Sequence, residues 1–168
     1  MRYFCLLLLC LAELTTLARA QQPTFQDALL DHLAGSWVLQ GTIMGKQTTH
    51  DVTAEWVLAH QYLRLQEVSR DKKANGDPGY QAIVFIGWDQ NLNQYICIWL
   101  DEYGGAFDST LGHAKRGLDE IAFLFNYPEG PFHTTFAYDS KTDTWQWRMD
   151  SGDKGVLKPF ARVKLERK

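Results

Sequence analysis

Leu33-Ala34-Gly35-Ser36-Trp37 is the stretch that decides the fold. Its G-x-W closes a short amphipathic run and opens the first of ten strand-length segments. Just upstream, Thr24 is placed to cap a helix, with Asp27 three residues on as its partner. Phe25, Leu29 and Leu33 then fall at i, i+4 and i+8, which puts them on one helical stripe. The expectation is a helix of two to three turns, ended by Gly35, whose stripe packs on something.

Downstream, turn residues divide the chain into segments near 36–44, 48–58, 62–70, 80–88, 94–103, 107–115, 120–127, 132–138, 144–150 and 156–166. Short aromatic and β-branched runs at regular spacing predict the strands of a closed antiparallel barrel or a sandwich. The longest break, 71–79, holds Asn75-Gly76 and Asp77-Pro78-Gly79 and reads as an exposed loop.

Pairing follows from the turns. Aromatic-Asp-x5-aromatic occurs twice, as Trp88-Asp89 with Tyr95 and as Tyr138-Asp139 with Trp145. The Asp starts each turn by bonding its own backbone, and the aromatics cross-brace the strands. Setting Tyr138 opposite Trp145 puts Phe136 opposite Trp147 and Thr134 near Met149. His133, Thr135, Gln146, Arg148 and Asp150 then share the wet face. A turn at Ala59-His60 pairs Val57 with Tyr62 and Glu55 with Arg64. The other face then carries Val52, Ala54, Trp56, Leu58, Leu63, Leu65 and Glu67. Ala59-His60 is poor for a type I′ turn, so a longer turn with a one-residue slip is the alternative.

The first twenty residues read as a leader: Arg2, an apolar run from Phe4 to Ala12, and an Ala18-Arg19-Ala20 cleavage site. The run falls short of the ~20 residues that span a bilayer. The expected product is one domain, Gln21 to Lys168, exported to the periplasm or secreted, with no membrane span after cleavage. Losing Arg2, Glu13 and Arg19 takes the net charge from −3 to −4. With no basic stripe, nucleic acid is excluded as a partner. Cys5 and Cys10 leave with the leader, so Cys97 has no intrachain partner. Its setting, Tyr95-Ile96-Cys97-Ile98-Trp99, predicts a buried, inert thiol. Stability must come from packing, to which six Trp, seven Tyr and nine Phe contribute area.

Leu33-Ala34-Gly35-Ser36-Trp37, Glu55-Trp56-Val57-Leu58, Gly87-Trp88-Asp89 with Tyr95, and Trp99-x-Asp101 follow one another in order. This order resembles an uncharacterised family of bacterial lipocalin-like (calycin) domains, over nearly all of residues 30–168. The resemblance implies an all-β fold: a single antiparallel lipocalin-like β-barrel of about ten strands with a short N-terminal helix. It implies that the helix plugs one barrel end and that Trp37 packs there under Arg162 or Arg167. Family members usually carry glycines where this chain has Ala59-His60. The resemblance implies a container and no reaction.

Several chemistries can be set aside. Asp150-Ser151-Gly152 matches one aspartic-protease triplet, but that chemistry needs two, and a polar hairpin turn is expected. Gly41-x3-Gly45-Lys46 is one residue short of a phosphate loop and reads as strand-turn-strand. No G-x-S-x-G is present. The two aromatic-Asp hairpins are too few for a propeller. His32 is expected in solvent, His133 on a wet face and His60 in a turn, while His50 and His113 are open to an inward reading. No metal-ligand spacing links them. Related haem-binding barrels place the iron-ligating His near the C-terminus, and here none follows His133. No metal and no cofactor is expected.

Glu67 and Asp101 are the residues that invite a function. Both are expected inside the barrel, near Tyr80, Trp99 and Tyr103. A buried carboxylate must be hydrogen-bonded or neutralised. One reading is a polar anchor for a small apolar ligand. Trp56, Trp99, Phe136, Trp147 and Met149 would then form the walls, and Glu67, Asp101 and Tyr103 the polar contacts. The other is a pair satisfied by tyrosine hydroxyls and backbone. A hydrolase or isomerase using an interior carboxylate is the second class of function. A structural or partner-binding barrel filled solid by its own aromatics is the third.

Overall fold

The computed structural model describes residues 24–104, 111–153 and 156–168; the expected leader lies outside them. After helix α1 (Ala28–Leu33), ten antiparallel strands close into one barrel. They are β1 (Gly35–Ile43), β2 (Lys46–Val57), β3 (Tyr62–Ser69), β4 (Gln81–Asp89) and β5 (Gln94–Asp101), followed by β6 (Leu111–Ala114), β7 (Glu120–Tyr127), β8 (Gly130–Asp139), β9 (Thr144–Asp153) and β10 (Val156–Arg167). Each pairs with its chain neighbour, and β1 pairs with β10 to seal the ring. Closure leaves no edge strand among the described residues.

Period-two alternation sets the inner face. Trp37 and Leu39 of β1, Val52 and Ala54 of β2, Leu63 and Leu65 of β3, Val84 and Ile86 of β4, and Phe136, Trp145 and Trp147 of β8 and β9 are all buried. The expected registers hold: Val57 faces Tyr62, Glu55 faces Arg64, Tyr138 faces Trp145, Phe136 faces Trp147 and Thr134 faces Met149. Cys97 is buried on β5, and burial pushes its thiol pKa well above the ordinary range.

Four expectations need correction. The helix is six residues long, and Asp27, not Thr24, is its N-cap, accepting from the Leu30 amide at 3.0 Å. Its buried residues are Leu30 and Leu33, while Leu29 and Phe25 are only partly buried. Leu58 is exposed, because it opens the β2–β3 turn instead of continuing β2. Leu58, Ala59 and His60 all have left-handed backbone, at φ 51°, 55° and 64°. Tertiary contacts hold this strained turn: the His60 ring stacks 4.0 Å from Trp56, and its Nδ1–H donates to the Phe25 carbonyl at 2.7 Å. Asp150-Ser151-Gly152 is strand rather than turn, with Ser151 opposite Phe132 and Gly152 opposite Leu157. Of the strand expected at 107–115, the described part is Leu111–Ala114.

The helix seals one barrel end. A helix this short leaves most carbonyls without an intrahelical partner. Side chains from elsewhere satisfy them: Trp37 Nε1 donates to Leu33 O at 2.8 Å, Arg167 to Ala34 O at 2.8 Å and to His32 O at 2.9 Å. Arg167, and not Arg162, lies over the Trp37 ring, 3.9 Å from its centroid. Gly35, at φ 131°, passes directly beneath the Arg167 guanidinium, where a β-carbon would collide with it. At the helix N-terminus, Asp27 also accepts from the Tyr95 hydroxyl at 2.6 Å and pairs with Arg116 at 2.9 Å. Phe25, Trp56, Trp88 and Tyr95 pack around this point with centroids 5.1–6.4 Å apart.

Candidate functional site

At the end opposite the helix the barrel is hollow. A cavity of about 470 Å³ lies there, within the size range of small-molecule sites. Its two walls differ. Ile43, Phe125, Tyr127, Phe132, Met149 and Phe160, from β1 and β7–β10, form an apolar wall. Thr48, His50, Glu67, Ser69, Tyr80 and Asp101, from β2, β3, β5 and the loop before β4, form a polar one.

The apolar wall rests on packing details of four strands, β6, β7, β8 and β10. Phe132 meets Phe160 edge-on at 5.2 Å and Tyr127 at 6.0 Å, and Tyr127 stacks on Phe125 at 5.9 Å. Gly112 of β6 lies under the Phe125 ring, where a β-carbon would come within 2.6 Å. Phe160 is the extra residue of a bulge: Pro159 faces Asp150 and Ala161 faces Met149, so Phe160 has no partner on β9, while its carbonyl accepts from the Met44 amide at 2.7 Å. Pro159 cannot donate to the ladder, and a bulge at such a point re-aims its side chain.

The polar wall is set by register. Glu67 faces Ala82, and Ala82 faces Asp101, so the two carboxylates stand at one level with a methyl group between them. His50 and Thr48 continue the inward alternation of Val52 and Ala54. His50 Nδ1–H donates to Glu67 Oε1, and Nε2 lies 2.7 Å from the Thr48 hydroxyl. His50 is 3 % exposed and Glu67 2 %, so the pair is fully withdrawn from water. Both imidazole nitrogens are therefore used, but Glu67 Oε2 has no hydrogen-bond partner among the described residues. Asp101 accepts from the Tyr103 amide at 2.9 Å and, weakly, from the Tyr80 hydroxyl at 3.4 Å. Trp99 Nε1 donates to that hydroxyl at 3.2 Å. Burial raises the Tyr80 pKa far above its ordinary value, and the negative charge of Glu67 raises it further, so Tyr80 stays a phenol. At the mouth, Lys46 pairs with Asp71 at 2.9 Å, with Lys72 beside them.

Of the residues singled out from sequence, Glu67, Tyr80, Trp99, Asp101, Tyr103 and Met149 line the cavity. Phe136 and Trp147 do not; they stack at 4.6 Å one level deeper, with Trp147 5.5 Å from Trp99. Trp56 lies at the opposite end, where its Nε1 donates to Asp31 at 2.8 Å. Thr48, Ser69, Phe125, Tyr127, Phe132 and Phe160 were not expected in the site. Alternation on β2 already places Thr48 and His50 with Val52, so that part was within reach of the sequence. His113 faces outward, beside Gln94 at 2.8 Å, and His32 stacks on Tyr138 at 4.5 Å.

Among the described residues, no three His, Cys, Asp or Glu side chains come together to hold a metal ion. Among the same residues, no helix is long and apolar enough to cross a membrane. No protein-family model matches the chain, and no curated protein matches it either.

Proposed function

We propose that the protein is a lipocalin-like container that binds a small, largely apolar ligand at the open end of the barrel. One observation carries this reading: the cavity has a continuous aromatic wall and, across from it, a polar wall that includes Glu67, a buried carboxylate whose Oε2 has no partner among the described residues. Interiors are ordinarily close-packed, and a void of about 470 Å³ forfeits dispersion contacts that a ligand would restore. A helix plug, with Arg167 over Trp37, also accords with the lipocalin-like reading of the sequence. Export to the periplasm or medium, as the leader suggests, fits a carrier.

The test is a titration with a neutral naphthalene dye that brightens in apolar surroundings. Wild-type protein should brighten and blue-shift the dye saturably, and Met149→Trp, which fills the cavity, should abolish the effect. A dye response that is absent, or unchanged in the folded Met149→Trp protein, would sink the proposal.

A second reading, catalysis, draws on the Thr48–His50–Glu67 hydrogen-bonded series, which orders a hydroxyl, an imidazole and a carboxylate along one wall. That is the arrangement in which an imidazole acts as general base. Turnover of small aromatic esters that disappears in His50→Gln would support it. Its absence would leave the container reading alone.

A further inference from the structure

We infer that the ligand is an organic ammonium: a protonated amine on an aromatic or otherwise apolar body. This deepens the container reading and rests on it. The deep polar wall is dominated by acceptors. Glu67 Oε2 is buried, unpartnered and carried by an inward-facing residue of the cavity wall. Asp101 stands at the same level across Ala82, and among the described residues it accepts from one side chain, the Tyr80 hydroxyl at 3.4 Å. His50 has no N–H to spare, since Nδ1 serves Glu67 and Nε2 is engaged by Thr48. Tyr80 already directs its hydroxyl hydrogen at Asp101. The cationic side chains lining the cavity are Lys46 and Lys72 at the mouth, and Lys46 is taken by Asp71.

A ligand entering this site must therefore bring donors. An anion at the depth of Glu67 and Asp101 would meet two carboxylates, with the His50 N–H and the Tyr80 O–H already engaged, and Lys72 lies away at the mouth. An ammonium supplies three N–H donors, and bonds of that kind to a carboxylate are the strong ones. Trp99, Tyr80 and Tyr127 present aromatic rings in the same cavity, which favour a cation at their faces. The apolar wall of Phe125, Phe132 and Phe160 then receives the rest of the molecule.

The experiment compares three ligands of one shape by calorimetry at neutral pH: naphthylethylamine, naphthylethanol and naphthylacetate. The amine should bind about tenfold more tightly than either of the others, the size of one charge-assisted hydrogen bond. Glu67→Gln should bring the amine down to the level of the alcohol, with the alcohol unchanged. Asp101→Asn should narrow the preference in the same direction, and it serves if Glu67→Gln does not fold. Alcohol or acetate binding as tightly as the amine would overturn the inference and leave the container standing. If none of the three binds, both fall.

Discussion

At the helix end, Asp27 accepts three partners, the Leu30 amide, the Tyr95 hydroxyl and Arg116. At the cavity end, Glu67 accepts one bond on Oε1 and none on Oε2 from the described residues. Both carboxylates are nearly inaccessible to water. The difference separates two uses of a buried charge. One is saturated by its own chain and holds the plug in place. The other is left short in a hollow, which costs the fold stability and gains it nothing by itself.

Stability measurements can break this contrast. The largest effect should come from Trp37→Ala, which empties the packing beneath Arg167 and strands its bond to the helix. A loss of about 3–5 kcal/mol in urea denaturation is expected. Asp27→Ala should follow at about 2–3 kcal/mol, since it removes an N-cap and leaves the buried Tyr95 hydroxyl without its acceptor. Burial and Asp27 both raise the Tyr95 pKa, so its hydroxyl stays a donor that needs that acceptor. Glu67→Gln, by contrast, should change stability by less than about 1 kcal/mol, because the amide oxygen still accepts from His50. A loss as large as that of Asp27→Ala would erase the distinction between the two ends.

The smallest effect sharpens the helix end alone. Arg167 first, and then Tyr138, hold the Asp143 carboxyl below its ordinary 3.8. A depressed folded value means a contribution present above pH 3.8 and lost as the pH falls through the folded value. Asp143→Asn should therefore lower the melting temperature slightly at neutral pH and flatten its decline below about pH 4. An unchanged acid limb would show that this exposed pair adds nothing to the plug.

Much of the barrel was legible because period-two alternation reports which face a residue occupies. It placed Glu67 and Asp101 inside, and it paired β2 with β3 and β8 with β9 correctly. Alternation does not report height. Trp56 and Phe136 point inward by the same rule as Met149, yet Trp56 belongs to the plug and Phe136 to the packed middle. Height depends on strand stagger around a closed ring, which only the whole set of pairings determines. Phe160 escaped for another reason: the bulge after Pro159 breaks the alternation just where the cavity begins. The short helix escaped because Asp27 competes with Thr24 as a cap, and its tie to Tyr95 spans 68 residues.

The seam between β1 and β10 has a consequence in time. Trp37 lies opposite Arg167, so β1 meets its second partner only after every strand between them has been made. Every other ladder joins chain neighbours, so this one seam carries the long loop-closure cost, and such distant closures slow folding. Until β10 arrives, a growing chain carries two open strand edges and a half-built hollow. Loss of β10 would leave that vulnerable intermediate as the end state, with Trp37 uncovered and both edges free to pair with other chains.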